Sequence, residues 1–138
     1  MQAPTASELL NDPVVQQAIE SAWADSLVDD PQHRHEEGGW IYFDPASRAI
    51  TVRRAATGTR AELDLDTPPL VSGLVLVATF HTHPNPSAEG WQPGPSEDDE
   101  QFAWSAGVPW LIRADDGCHS AGPDSRRDGL AGNPGYPD

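Results

Sequence analysis

The stretch LVLVATFHTHP, residues 74–84, decides both the fold and the chemistry expected of this chain. Its first seven residues are mostly apolar and partly β-branched, and Gly73 precedes them, so they predict a short buried strand. His81 and His83 lie two positions apart at the end of this strand. Because side chains at positions i and i+2 point to the same side of a strand, the two imidazoles are expected to face one point in space.

A third potential ligand follows in the sequence SEDD, residues 96–99. Asp99 can add a carboxylate to the two imidazoles. Two histidines, one carboxylate and an open fourth position make the ligand set of a catalytic rather than a structural zinc site. We therefore predict that His81, His83 and Asp99 bind zinc (Zn2+). The alternative is that the two histidines are ordinary solvated side chains.

Three short motifs in this order resemble the signature of the JAMM (JAB/MPN) zinc metalloproteases. They are E-x-x-G at residues 36–39, H-x-H-P at residues 81–84 and S-x-x-D at residues 96–99. Glu36 matches the family's glutamate better than Glu37, because a glycine stands three positions after it. The fold that this resemblance implies is a mixed sheet flanked by helices, like that of the cytidine deaminases.

The resemblance also implies a role for each matched residue. Glu36 would be the general base, which takes a proton from a zinc-activated water and passes it to the leaving amine. Ser96 would donate a hydrogen bond to the developing oxyanion, in addition to capping the helix that it precedes. His81, His83 and Asp99 would be the metal ligands.

The activity implied by the resemblance is hydrolysis of a peptide or isopeptide bond. The expected partner is a protein or peptide substrate, such as a ubiquitin-like C-terminal tail. Two alternatives stay open: a non-catalytic binding or scaffold module with the same fold, and the protease domain of a larger bacterial toxin or effector. Scaffold relatives usually lose ligands, whereas this chain keeps all five signature residues.

A long loop separates the second motif from the third. Residues 85–95 include three prolines and two glycines, and the loop is longer than in the familiar deubiquitinases of the family. It resembles the loop of bacterial JAB-like domains from toxin and conflict systems. Trp91 is its one large apolar residue, and we predict that it binds substrate. The alternative is that Trp91 packs into the core, where Trp40, Trp104 and Trp110 are also expected.

A second H-x-H motif, His33-Arg34-His35, directly precedes Glu36 and is a rival metal site. We favour a solvated or rim position for these histidines, because no cysteine or aspartate follows at an evident ligand distance. Glu37 is expected to be an exposed acid.

Composition limits the classes of partner. The chain has 138 residues with 22 acidic and 8 basic side chains, all eight of them arginine, and a net charge of −14. This charge argues against nucleic acid and anionic membranes as partners, and it either serves solubility or attracts a basic substrate. Cys118 is the one cysteine, so no internal disulfide can form. No signal peptide or membrane segment is evident, so we expect a cytoplasmic protein or a part of a secreted effector.

The remaining patterns predict an α+β fold, a mixed α/β sandwich. A helix is expected to begin at the N-cap Asp12 and to stop near Asp29, and a second is expected from Ser96 to about Ala106. Three segments are proposed: residues 1–31 as an N-terminal helix that packs on the domain, 32–121 as the catalytic domain, and 122–138 as an irregular or disordered tail. The predicted strands cover residues 40–43, 50–53, 61–65, 74–81 and 108–113.

Overall fold

The strand that ends in the two histidines lies at the centre of a five-stranded sheet. In the computed structural model, which describes residues 2–130, the strand order is β2-β1-β3-β4-β5. β3 is antiparallel to β1 and parallel to β4, and the other neighbours are antiparallel. All eight residues of β3 are buried, as the apolar pattern predicts. The strands are β1 (Gly38–Phe43), β2 (Ile50–Arg54), β3 (Val75–Thr82), β4 (Trp110–Ala114) and β5 (Gly117–Ala121).

Helices cover both faces of the sheet. Helices α1 (Ala6–Leu10) and α2 (Pro13–Asp25) pack on one face, where Ile19 of α2 joins a core cluster with Val77 of β3. Helix α3 (Glu97–Ala106) packs on the other face through a second cluster. Since β3 side chains alternate between the two faces, one strand serves both clusters. This mixed sheet between helices confirms the predicted α+β fold.

The capping residues expected from the sequence begin the two longer helices. Asp12 Oδ1 accepts hydrogen bonds from Val14 N at 2.8 Å and Val15 N at 3.3 Å, and Pro13 occupies the first turn. The helix ends at Asp25 rather than near Asp29. Helix α1 was not predicted, although its capping box is readable as T-x-x-E at residues 5–8.

Two predictions about packing are wrong. Residues 61–65 form no strand, because they run beside the sheet without entering its ladder of hydrogen bonds. Trp104 is 49% exposed instead of lying in the core, because it follows Ala103, whose fully buried side chain faces the sheet. Trp40 and Trp110 are buried, as expected.

The two glycines before Trp40 allow β1 to pack tightly between its neighbours. A Cβ atom at Gly38 would lie 2.1 Å from the Phe80 carbonyl oxygen of β3, and one at Gly39 would lie 2.0 Å from the Arg53 carbonyl oxygen of β2. No side chain fits at either distance. Gly39, the glycine of the E-x-x-G motif, is therefore needed for strand packing. Tight packing of this strand in turn fixes the position of Glu36, three residues earlier.

The segment after β5 is irregular over its described part, residues 122–130, where no helix or strand forms. Arg126 is buried there and donates a hydrogen bond to the Leu76 carbonyl oxygen at 3.1 Å. Residues 131–138 of the predicted tail lie outside the described residues. Among the described helices, none combines the length and the apolar character needed to cross a membrane.

Candidate active site and metal centre

The structure brings the three predicted ligands together at the end of β3. His81 Nε2 and His83 Nε2 are 3.2 Å apart. Asp99 places Oδ1 3.3 Å from His81 Nε2 and Oδ2 3.1 Å from His83 Nε2. In the described part of the chain, this is the one group of three histidine, cysteine, aspartate or glutamate residues whose ligand atoms lie within 4.8 Å of one another.

The donor set and its spacing fit a metal ion. Ligand atoms on a tetrahedral zinc lie about 3.3–3.4 Å apart when each metal–ligand bond is about 2.0–2.1 Å. The three separations in the structure, 3.1 to 3.3 Å, are close to that value. Two nitrogen atoms and one carboxylate are a set that zinc accepts. The group could therefore hold a metal ion without a change in the backbone.

Strand geometry aims the two imidazoles. His83 follows β3 directly, and its N–H still donates to the Arg113 carbonyl oxygen of β4 at 2.8 Å, so the extended backbone continues past the strand end. Thr82, between the histidines, points to the opposite side and contacts Ser26 Oγ at 2.7 Å. His81 packs edge-on against Trp110, with ring centroids 5.7 Å apart.

A backbone carbonyl orients the second histidine. His83 Nδ1 lies 3.2 Å from the carbonyl oxygen of Pro93, in the long loop. Because that oxygen can only accept, Nδ1 carries a proton, so Nε2 is the nitrogen that would bind a metal once it has lost its own proton. No sequence pattern indicates this role of Pro93, since a backbone acceptor leaves no side-chain signal.

Helix α3 holds the carboxylate ligand by its own cap. Ser96 Oγ accepts a hydrogen bond from Asp99 N at 3.0 Å, and Asp99 Oδ2 accepts one from Ser96 N at 2.9 Å. This reciprocal capping box places Asp99 in the first turn, where the helix dipole favours a negative charge. The S-x-x-D motif is therefore a helix cap and a ligand support at once.

The pKa of each of the three ligand side chains depends on its burial and on the charge of its neighbours. Burial opposes the charged form of Asp99, but hydrogen bonds to the two histidines outweigh it and lower the pKa of this carboxyl below its usual range. Burial lowers the pKa of His81. Burial also disfavours charged His83, yet the hydrogen bond and charge of Asp99 raise the pKa of its imidazole overall. Metal binding requires an ionised Asp99 and two neutral imidazoles, so a metal would have to displace the proton that Asp99 favours on His83.

Glu36 lies in the same cleft as the ligands and is 8% exposed. Burial, followed by the nearby charge of Asp99 and despite the opposing effect of His83, raises the pKa of its carboxyl to about 7. Backbone hydrogen bonds fix its position: its N–H donates to Thr59 O at 2.8 Å, and its carbonyl accepts from Gly58 N at 3.0 Å. A buried carboxyl that titrates near neutral pH has the properties of a general base.

Glu37 is not the exposed acid that we expected. It is buried, and its carboxylate contacts His35 Nε2 at 2.7 Å, Arg54 Nη2 at 2.8 Å and Thr57 Oγ1 at 2.9 Å. The two glutamates thus point to different surroundings. Glu36 faces the cleft, whereas Glu37 holds the entry to β1 in an ion-pair network.

The rival H-x-H motif is divided between separate partners. His33 Nδ1 contacts Asp30 at 2.7 Å in an exposed position, and His35 contacts Glu37. Arg34, between them, is buried and pairs with Glu89 of the long loop at 3.3 Å. Among the described residues these side chains belong to no three-ligand group. Through the pair of Arg34 with Glu89, the motif thus holds the long loop in place.

The cleft around the ligand group has a volume of about 850 Å³. Ser96 lines it, so the Ser96 hydroxyl can donate into the cleft while its oxygen accepts the helix cap bond. Trp91 also lines it and is 44% exposed. The structure therefore brings all the predicted site residues, namely Glu36, His81, His83, Trp91, Ser96 and Asp99, to one cleft.

The long loop is attached at several points beside this cleft. Besides the Arg34 pair and the Pro93 carbonyl, Asn85 Nδ2 donates to the Arg60 carbonyl oxygen at 2.9 Å. Ser87, at the start of a short 3-10 turn (Ser87–Glu89), donates from N and Oγ to Asp115 at 3.0 and 2.9 Å. These contacts hold the loop against the sheet although it has little regular structure.

Comparison with known families agrees with this geometry. Residues 12–127 match the family described as prokaryotic homologs of the JAB domain, and the chain belongs to that family. The match confirms the resemblance found from the motifs and covers both α2 and the sheet. No curated protein and no solved structure matched this chain.

Proposed function

We propose that this chain is a zinc-dependent hydrolase that cleaves a peptide or isopeptide bond in a protein or peptide substrate, such as a ubiquitin-like tail. One observation carries the proposal. A buried glutamate, whose carboxyl has its pKa raised to about 7, shares a cleft with a group of two histidines and one aspartate. Membership in the JAB family supports it.

In this proposal His81, His83 and Asp99 hold the ion. Zinc, when bound, supplies Lewis acidity, which lowers the pKa of water and polarises a carbonyl. The Glu36 carboxylate accepts the proton of the attacking water and delivers it to the leaving amine. Its raised pKa suits both steps, since the group can gain and lose a proton near neutral pH.

Ser96 contributes a hydrogen bond to the substrate. Its oxygen accepts the bond from Asp99 N, which leaves its hydroxyl hydrogen free to point into the cleft. That hydrogen can be donated to the carbonyl oxygen as negative charge develops there. Because Ser96 is also the N-cap, its position is fixed before substrate arrives.

The test combines metal content with cleavage of a peptide and isopeptide library. The wild-type protein should hold one zinc per chain, and His81→Ala should lose most of it. Glu36→Gln should keep the metal and lose roughly 10²–10⁴-fold in kcat, since a general base contributes that much. Full activity in Glu36→Gln would contradict the assigned base. A zinc-loaded protein that cleaves no substrate would favour the binding module instead.

A further inference from the structure

A smaller pocket adjoins the cleft, and we call it the side pocket. It has a volume of about 300 Å³, and Leu65, Asp66, Phe102 and Trp110 line both spaces. One water needs only roughly 10–15 Å³ of such space, so the side pocket is large enough for a whole side chain. The Trp110 ring packs against His81 with centroids 5.7 Å apart. An occupant of the side pocket would therefore lie one ring away from the ligand group.

A bulge in β3 shapes the floor of the side pocket. The pairing of β1 with β3 slips by one residue at Val77, which has no partner on β1. Regular alternation sends side chains three positions apart to opposite faces, but the extra residue brings Leu76 and Thr79 to the same face, where both line the side pocket. Helix α3 covers this floor with residues at positions i, i+3 and i+4, namely Phe102, Ser105 and Ala106.

Two buried polar atoms of the side pocket lack a hydrogen-bond partner. Thr79 and Trp110 are both more than nine-tenths buried, and in the described part of the chain neither Thr79 Oγ1 nor Trp110 Nε1 has a partner. The two residues pair in register on the parallel strands β3 and β4, so their side chains are neighbours on one face. Because a buried polar atom is costly to leave unpaired, these atoms indicate that the side pocket receives a polar group.

The rest of the lining restricts the chemistry of that group. Asp66 is exposed and is the one charged residue among the described residues that line the side pocket, so no cation there could neutralise an anionic ligand. Apart from the exposed Ser105, the other lining side chains are apolar: Leu65, Pro68, Leu76, Phe102 and Ala106. An indole N–H can only donate, whereas a threonine hydroxyl can donate or accept. The fitting ligand is an uncharged apolar group whose tip both accepts and donates.

From this arrangement we infer that the side pocket binds one tyrosine side chain of the polypeptide that occupies the cleft. The inference rests on the proposed function, which makes the cleft a substrate site. A phenol hydroxyl accepts from Trp110 Nε1–H while it donates to Thr79 Oγ1, so both atoms gain a partner. Phe102 and Trp110, with ring centroids 5.9 Å apart, supply aromatic surface for the phenol ring, which a carboxamide would leave uncovered. Thr79 and Trp110 are the specificity-determining residues.

The test measures binding, so that it does not depend on cleavage. End-blocked pentapeptides with tyrosine, phenylalanine or glutamine between paired glycines are titrated into Glu36→Gln protein, and NMR follows the indole N–H resonances. Trp110→Phe identifies the Trp110 resonance. The tyrosine peptide should shift it downfield and bind about fivefold more tightly than either other peptide, as expected for the net contribution of one hydrogen bond. The resonance of Trp104, which lines neither space, should not move.

Thr79→Val tests the hydroxyl, because it replaces that group with a methyl of similar shape. In the same background it should remove most of the preference for tyrosine over phenylalanine. The melting temperature should not fall, because Thr79 Oγ1 has no partner among the described residues. Thr51→Val is the matched control, exposed on β2 and outside both spaces, and should keep the preference. An unchanged preference in Thr79→Val, or a clear loss of its stability, would overturn the inference.

The free phenol p-cresol, which is a tyrosine side chain without a backbone, separates two sources of the ligand. It should bind more weakly than the tyrosine peptide, because it makes no main-chain contacts in the cleft. Equal affinity of p-cresol and the tyrosine peptide would assign the pocket to a free phenol and would overturn the inference.

The remaining outcomes distinguish this inference from the proposed function. Equal affinity for the tyrosine and phenylalanine peptides, or no binding of the tyrosine peptide, overturns the inference even if the wild-type protein cleaves other peptides. Selective binding of the tyrosine peptide that is lost in Thr79→Val, in a protein whose wild type cleaves nothing, supports the inference while the proposed function fails.

Discussion

At the scale of single residues, burial of the Glu36 carboxyl lowers the stability of the folded protein near neutral pH. Burial raises the pKa of its carboxyl from 4.5 to about 7. Between these two values the folded chain holds a proton that the unfolded chain has released, so stability falls as pH rises through this window. Below pH 4.5 both states are protonated and the cost is absent. The ionised, buried carboxylate thus opposes folding near neutral pH, which is the pH at which the proposed general base would act.

Glu36→Gln should therefore stabilise the metal-free protein at pH 8 and leave it unchanged near pH 4. The expected gain in the free energy of unfolding is up to about 3 kcal/mol, from 1.36 kcal/mol per pKa unit. Urea unfolding in the presence of a chelator, at both pH values, measures it. Glu97→Gln, at an exposed position that does not line the cleft, is the control and should not be stabilised at pH 8. A loss of stability in Glu36→Gln at pH 8 would contradict the raised pKa.

At the scale of elements, the long loop is held by contacts that sequence patterns do not reveal. Its three prolines do not fit within a helix or a central strand, and its regular structure is limited to the 3-10 turn Ser87–Glu89. The pairing of Arg34 with Glu89 and the bond from His83 to the Pro93 carbonyl depend on tertiary approach between distant segments. Trp91 remains at the surface of the cleft as a result.

Trp91→Ala should raise KM or lower kcat while leaving metal content unchanged. The melting temperature should change little, because a side chain that is 44% exposed contributes less to stability than a core tryptophan, whose removal costs about 3–5 kcal/mol. Trp104→Ala is the matched control, since Trp104 is 49% exposed on α3 and does not line the cleft. Normal kinetics together with a large drop in melting temperature would show that Trp91 is a packing residue.

Comparison of the predicted and observed helices and strands also shows which sequence patterns are sufficient to predict them. The apolar run before His81 and the cap residues Asp12 and Ser96 depend on local physics, and the structure contains the strand and helices they predict. Residues 61–65 alternate like a strand, but they only border the sheet. Alternation reports an extended backbone with one buried side, and it cannot tell whether a partner strand is present.

The same limit applies to the candidate site. Local strand geometry predicted that His81 and His83 face one point, whereas the approach of Asp99 to that point was expected from ligand chemistry and from the family resemblance. The opposite surroundings of Glu36 and Glu37 could not be derived from composition, since both are acids in one short segment. Arg54 and His35, which surround Glu37, reach it only in the folded chain.

At the scale of the whole molecule, the ligand group joins parts of the chain that are otherwise held by packing. His81 and His83 belong to the central strand, and Asp99 belongs to a helix on one face of the sheet. A metal held by both would bind the folded chain and not the unfolded one. Such a ligand stabilises the fold by mass action, by about 2.7 kcal/mol at a hundredfold excess over Kd.

Added zinc should therefore raise the melting temperature by roughly 9 °C under that condition, given an unfolding entropy of about 2.1 cal/mol/K per residue. Asp99→Asn should abolish the shift, because it removes the anionic ligand. The asparagine can still accept the cap bond from Ser96 N, so the helix should persist. Asp98→Asn removes one charge from the adjacent exposed position and should keep the full shift. Equal shifts in the two variants would place the zinc elsewhere, because a site built on the strand and the helix cap depends on Asp99 and not on its neighbour.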